Sequence, residues 1–247
     1  MTERSSDGQN AAFGTLRSAV QVRPLRLMFS ETLQEKLLQA SIRQRKIIFG
    51  FFIVLYTLIT ITLAISTYQY FHTDDTDILF YDLGVWYGRL GLFMLTLTVL
   101  PGIFGRLKIK IPISYFITRF RRQFGILVFA LAFGHAFIVY FLPQIAYNPK
   151  LFKIPSGLFR QFGFFAILLL LPLFLTSNNW SQRVLKNWWK RLHGVIYVIL
   201  WLVFGHVALQ RLSFWSVWIG LIALLEVISL AVDFLKNKSS KLNRPAS

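Results

Sequence analysis

Three of the four histidines in this chain stand in runs that water does not readily reach. His193 and His206 lie on a stretch in which Leu192 to Gln210 carries no Lys, Arg, Asp or Glu, and His135 lies in a second uncharged run, Gln123 to Leu142. An imidazole set among Leu, Ile, Val and Trp loses its water partners and needs a hydrogen bond, a counter-charge or a metal in their place. Neutral imidazole is also the commonest metal ligand among side chains. The chain has no cysteine, which excludes disulfides, thiolate iron–sulfur ligation and the Cys-x-x-Cys-His attachment of c-type haem. Any haem here is therefore expected to be held non-covalently, through histidine.

The elements that must position these residues follow from composition. Of the 247 residues, 55% are hydrophobic and 15% charged, whereas about a quarter of a soluble domain is charged. The net charge of +17 is not a nucleic-acid signature, because the basic residues sit between apolar runs, where they act as topology signals. Six runs are long enough to span a bilayer: Ile47 to Phe71, Leu83 to Phe104, Gln123 to Leu142, Gln161 to Leu175, Leu192 to Gln210 and Leu212 to Val232. Arg89 and Pro101-Gly102 interrupt the second, and Pro143 marks the outer end of the third. Of the 27 Lys and Arg, 22 fall in the segments assigned to the cytoplasm and four in the outer loops, which places both termini in the cytoplasm.

The predicted fold is an all-α integral membrane protein, a six-transmembrane-helix bundle. Residues 1–46 form a cytoplasmic N-terminal segment, 47–235 the six-helix domain and 236–247 a cytoplasmic tail. Thr32-x-x-Glu35 is a capping box for an interfacial helix, with a solvated basic arm as the alternative. The apolar core of the first run exceeds that of a cleavable signal, and the tail after the last span leaves no room for a flavin or nicotinamide domain.

Depth decides which histidines meet. The third and fifth helices both run outward, so residues can be counted from their basic inner ends. His135 lies 13 residues past Arg122, about 20 Å of helix, and His206 lies 15 past Arg191, about 22 Å. Level imidazoles on two helices can take iron axially from opposite faces of a porphyrin. A haem between helices three and five is the expectation, an interhelical hydrogen bond the alternative. Gly134 and Gly205, which precede the two histidines, are expected to let the macrocycle approach the backbone.

His193 lies about 3 Å past Arg191, near the cytoplasmic surface, and projects about 140° away from His206. It faces an inner quinone or flavin, holds a second haem with a non-histidine partner, or snorkels. Arg89 and Arg211 lie at the outer level, where they are placed to neutralise haem propionates or to reach lipid head groups. Glu226, near the inner end of the sixth span, reads as a solvated or paired end residue, and His72 as a solvated residue of the acidic outer loop.

These residues resemble a known family. The run Arg121-Arg122-Gln123-Phe124-Gly125-Ile126-Leu127 leading to His135 is one part of the likeness. Thr176-Ser177, Arg183-Val184-Leu185-Lys186-Asn187-Trp188 and Arg191-Leu192-His193-x-x-x-Tyr197 are others, with Gly88-Arg89 and Leu100-Pro101 before them. Over about residues 83–235 the chain is similar to the ferric-reductase-like transmembrane domain. Among its members it looks closest to the haem-binding membrane subunit of the bacterial periplasmic methionine sulfoxide reductase system. It differs in its long N-terminal segment and, from eukaryotic ferric reductases and NADPH oxidases, in having one histidine on helix three and no appended flavin domain.

The resemblance implies a b-type haem protein of the bacterial inner membrane. Such a protein takes electrons from the quinol pool or a cytoplasmic flavin reductase, with FMN or quinone as a further cofactor. It passes them to a periplasmic molybdopterin enzyme that repairs methionine sulfoxide. His135, His193 and His206 stand at the family's haem-associated histidines. Two other classes stay open: a stand-alone ferric or quinone reductase, and a non-redox structural or transport membrane protein.

Overall fold

The computed structural model describes residues 42–72, 77–147 and 157–242, together with residues 35, 36 and 39. Thr32, and with it the capping box, lies outside them, as do Lys150 and Lys153 of the outer loop. Six helices are long and apolar enough to cross a membrane: α1 (Arg45–His72), α2 (Tyr81–Leu107), α3 (Arg121–Ile145), α4 (Leu158–Leu175), α5 (Asn187–Gln210) and α6 (Phe214–Lys236). They agree in number and order with the six apolar runs. Phe51, Ile61, Leu168 and Leu224 are exposed on the outer surface of the bundle, as side chains bathed in hydrocarbon would be. Together with the relatives described below, the helices make this a multi-pass membrane protein.

Pro101 was expected to interrupt its helix and Pro143 to end its own, and neither does. Pro101 lies inside α2, which runs on to Leu107, and the backbone stays helical through Pro143 as far as Tyr147. Proline lacks the N–H that would close the turn behind it, but neighbouring helices and local re-registering satisfy the freed carbonyls. Ahead of Pro143 the helix does re-register: Phe137–Phe141 form a π-helical turn, and the Leu142 N–H donates to the Phe137 carbonyl. Where α2 does stop, Lys108 takes the left-handed φ of 59° usually left to glycine. The Ile109 N–H then donates to the Phe104 carbonyl at 2.9 Å, closing a Schellman turn.

The helices meet in a core that continues through two adjoining clusters. Leu95, Val99 and Ile103 of α2 pack with Leu170 of α4, Ile199 and Leu200 of α5, and Ile219 and Ala223 of α6. Phe52 and Ile59 of α1 pack with Tyr87 of α2 and with Leu127, Leu131 and Ile138 of α3. In lipid the hydrophobic effect gives no net preference for helix against helix over helix against tail, so close packing and polar contacts hold the bundle. The Trp218 Nε1–H donates to Thr96 Oγ1 at 3.1 Å and the Tyr56 hydroxyl to the Gln123 carbonyl at 2.9 Å, while Thr62 pairs with the Tyr87 hydroxyl.

Candidate functional site: two imidazoles on backbone carbonyls

His135 of α3 and His206 of α5 face each other, with ring centroids 6.2 Å apart and planes at 70°. Each ring is held from behind by a different helix. His135 Nδ1 lies 2.8 Å from the Gly84 carbonyl of α2, and His206 Nδ1 lies 2.6 Å from the Phe159 carbonyl of α4. A carbonyl can only accept, so the proton sits on Nδ1 in both rings and Nε2 keeps its lone pair. That is the arrangement of a histidine ready to bind a metal, with the second nitrogen fixed by a backbone acceptor.

The separation fits a metal between the two. Two metal–imidazole bonds of about 2.0–2.1 Å in line, plus roughly 1.1 Å from each nitrogen to its ring centre, put trans rings about 6.3 Å apart. No group of three or more His, Cys, Asp or Glu that could hold a metal ion by itself occurs among the described residues. Two neighbouring imidazoles without further protein ligands suit a metal whose remaining positions come from a macrocycle, so the donor set fits haem.

The glycines beside the histidines do not do what the sequence led us to expect. A Cβ on Gly134 would lie 2.8 Å from Cδ2 of Tyr87, and one on Gly205 would lie 3.3 Å from Cδ2 of Phe162. These two face neighbouring helices and serve packing. The glycines against the imidazoles are Gly88 of α2 and Gly163 of α4, each four residues past the carbonyl that its histidine uses. The Gly84-x-x-x-Gly88 spacing is the small-residue signal that could have pointed to the α2 half of the site. Nothing in the local sequence marks Phe159.

His193 stands elsewhere. It lies at the basic end of the bundle, stacked on Trp189 with centroids 4.1 Å apart, and its Nε2 is 3.1 Å from Thr176 Oγ1. The Thr176 hydroxyl already donates to the Pro172 carbonyl at 2.6 Å, so it accepts from His193 Nε2–H and leaves Nδ1 as the open nitrogen. The Trp189 indole N–H donates to the Thr176 carbonyl at 3.0 Å, so this one residue anchors both rings to the end of α4. His193, Trp189, Arg119, Arg121, Arg122 and Lys190 line a cavity of about 770 Å³, to which neither His135 nor His206 contributes.

The remaining expected residues are not joined to the pair by any described contact. The Arg89 guanidinium lies 5.0 Å from the Trp86 ring, and Arg211 is exposed just past the end of α5. His72 is the last residue of α1, exposed and stacked on Tyr68, with Nδ1 2.8 Å from the Tyr68 carbonyl.

Residues 87–204 match the family model described as ferric reductase like transmembrane component. The match spans just under half of the chain, and over that stretch the chain is similar to this family. The stretch contains His135 and His193 and ends just short of His206. The chain is 33% identical over 118 residues to the protein-methionine-sulfoxide reductase heme-binding subunit MsrQ of Rhizobium meliloti (strain 1021), covering 47% of this chain and 50% of that protein. The proteins of the same name from Brucella ovis and Brucella anthropi are 34% and 35% identical over 120 residues, covering 48% of this chain and 50% of theirs. The chain thus spans about half the length of the curated relatives it matches. No solved structure matches.

Proposed function

We propose that this is a b-type haem protein that carries electrons through the bacterial inner membrane, with His135 and His206 as the two axial ligands of one iron. The observation that carries the reading is the facing pair, 6.2 Å between centroids with both Nδ1 atoms on backbone carbonyls. Each ring already makes an interhelical hydrogen bond through Nδ1; such bonds alone leave unexplained why two imidazoles from different helices stand 6.2 Å apart. Haem supplies one-electron chemistry when bound. The chain's own residues fix the two nitrogens and, through the lipid-exposed helices around them, exclude water.

The cavity at the basic end is the proposed site of electron entry. It gathers Arg45, Arg119, Arg121, Arg122 and Lys190 with the rings of Trp189, Phe174 and Tyr197, and among the described residues no Asp or Glu lines it. Cations around aromatic faces suit a planar anionic donor, a flavin mononucleotide better than a neutral quinone. The excess of Lys and Arg at this end assigns it to the cytoplasm. His135 and His206 then lie towards the periplasm, where a separate oxidoreductase would accept the electrons. The names of the relatives point to repair of methionine sulfoxide as that partner's reaction.

The test is spectroscopic. Purified in detergent from haem-replete cells, the protein should show a low-spin reduced-minus-oxidised spectrum, and acid acetone should extract all of the pigment. A folded but colourless protein would end the proposal, and a pigment that resisted extraction would rule out the non-covalent haem.

A further inference from the structure

We propose that Gly88 and Gly163 are positioning residues that seat the two imidazoles on backbone carbonyls and thereby tune the iron's electron affinity, an inference that rests on the ligation reading above. Within a helix the carbonyl of residue i already accepts the N–H of residue i+4. A ring from a neighbouring helix reaches the second lone pair of that oxygen only by passing over residue i+4. In α2 the acceptor is Gly84 and the residue four on is Gly88; in α4 they are Phe159 and Gly163.

The room is narrow in both places. A Cβ on Gly88 would stand 3.0 Å from His135 Nδ1 and 3.2 Å from its Cε1, and a Cβ on Gly163 would stand 2.8 Å and 3.0 Å from the same atoms of His206. Comfortable contacts between such atoms begin near 3.5 Å. With alanine at either site the ring must move away from its carbonyl. The same device occurs twice on separate helices, with different acceptor residues but the same glycine four residues on.

What the glycines control is the electron density on the ligating nitrogen. An Nδ1–H that donates to a carbonyl makes the ring more basic, and a more basic ligand favours the oxidised iron. Moving the ring off its carbonyl weakens the ligand and leaves a buried N–H without a partner. The midpoint potential should therefore rise, and the haem should be held less tightly.

The experiment uses the full chain in detergent or nanodiscs, with haem content, low-spin electron paramagnetic resonance and a redox titration as readouts. Gly88→Ala and Gly163→Ala should each keep a two-histidine signal while raising its midpoint potential and weakening haem retention by roughly 10–100-fold. Gly50→Ala, whose Cβ would meet nothing within 4 Å, should match the parent. Gly205→Ala, which presses on Phe162, should leave the potential where it is. An unchanged potential in both Gly88→Ala and Gly163→Ala would overturn the inference, as would a Gly205→Ala shift as large as that of Gly163→Ala. Should the alanine variants fail to accumulate, hyperfine spectra of the remote imidazole nitrogens in the parent protein decide: bonded Nδ1–H protons support the inference and unbonded ones refute it. A two-histidine low-spin signal that persists in both His135→Ala and His206→Ala would instead overturn the ligation reading and this inference with it.

Discussion

Arg106, in the last turn of α2, and Glu226, midway along α6, form a buried ion pair: the carboxylate side chain is 1% exposed and the guanidinium 16%. Arg106 also donates to Ser229 Oγ at 2.9 Å and to the Tyr197 hydroxyl at 3.1 Å, so one side chain ties α2 to both α5 and α6. Glu226 Oε2 is buried without a hydrogen-bond partner. A charge left alone in such a place is costly, which makes the pair matter more when one half is missing than when both are.

Removing one partner should therefore cost about 3–5 kcal/mol of stability, while replacing both by apolar residues of similar size should cost much less. Arg106→Leu and Glu226→Leu should each lower the thermal midpoint of the purified protein markedly, and the double substitution should recover most of the loss. Additive losses in the double variant would show that the two groups are not coupled.

How much of this was legible in the sequence depends on the kind of information each feature carries. The spans were, because length and the absence of charge are local properties. So was the level pairing of His135 with His206, which needs only a rise of about 1.5 Å per residue from a basic boundary. The partner of Arg106 was not, because the count of basic residues put it in a loop and no periodicity says which helix will stand beside α2. The adjacent glycines misled for a geometric reason. Consecutive helical residues point about 100° apart, so Gly134 and Gly205 cannot share the face of the histidine that follows them. The prolines misled because in a membrane helix they mark a local adjustment more often than an end.

At the basic end, His193→Ala should slow reduction by a flavin donor while leaving most of the haem in place. The ring lines the cavity and is held by Thr176 and Trp189, apart from the facing pair. Thr176→Val should have a smaller effect in the same direction, because stacking on Trp189 remains. The measurement is the stopped-flow rate of haem reduction alongside haem content. Complete loss of haem from His193→Ala would instead make His193 an axial ligand.

The cations of the cavity give a salt-dependent expectation. Arg121→Gln and Arg122→Gln should weaken the binding of an anionic flavin and flatten the dependence of the reduction rate on ionic strength. Charges exposed at a cavity mouth act over about a Debye length, roughly 8 Å at physiological salt and 3 Å at 1 M. Arg122 also donates to Asn179 Oδ1 at 2.7 Å, so its loss should loosen the short helix Asn179–Leu185 that follows α4 as well. Rates with the same salt dependence in parent and variants would place the donor elsewhere.

The last expectation concerns additivity at the facing pair. If His135 and His206 hold one iron, then His135→Ala and His206→Ala each destroy the two-histidine state, and the double substitution has little left to remove. If they bound different irons, each change would abolish its own share of the signal and the losses would add. The structure supplies the warrant in the 6.2 Å between the rings and in their opposite anchors, Gly84 on α2 and Phe159 on α4. Each single variant still presents one anchored imidazole, so any residual haem should be high-spin and able to bind an added imidazole that restores the low-spin spectrum. Restoration in both single variants but not in the double one would identify the two sides of one site, whereas two independent low-spin signals would refute the pairing.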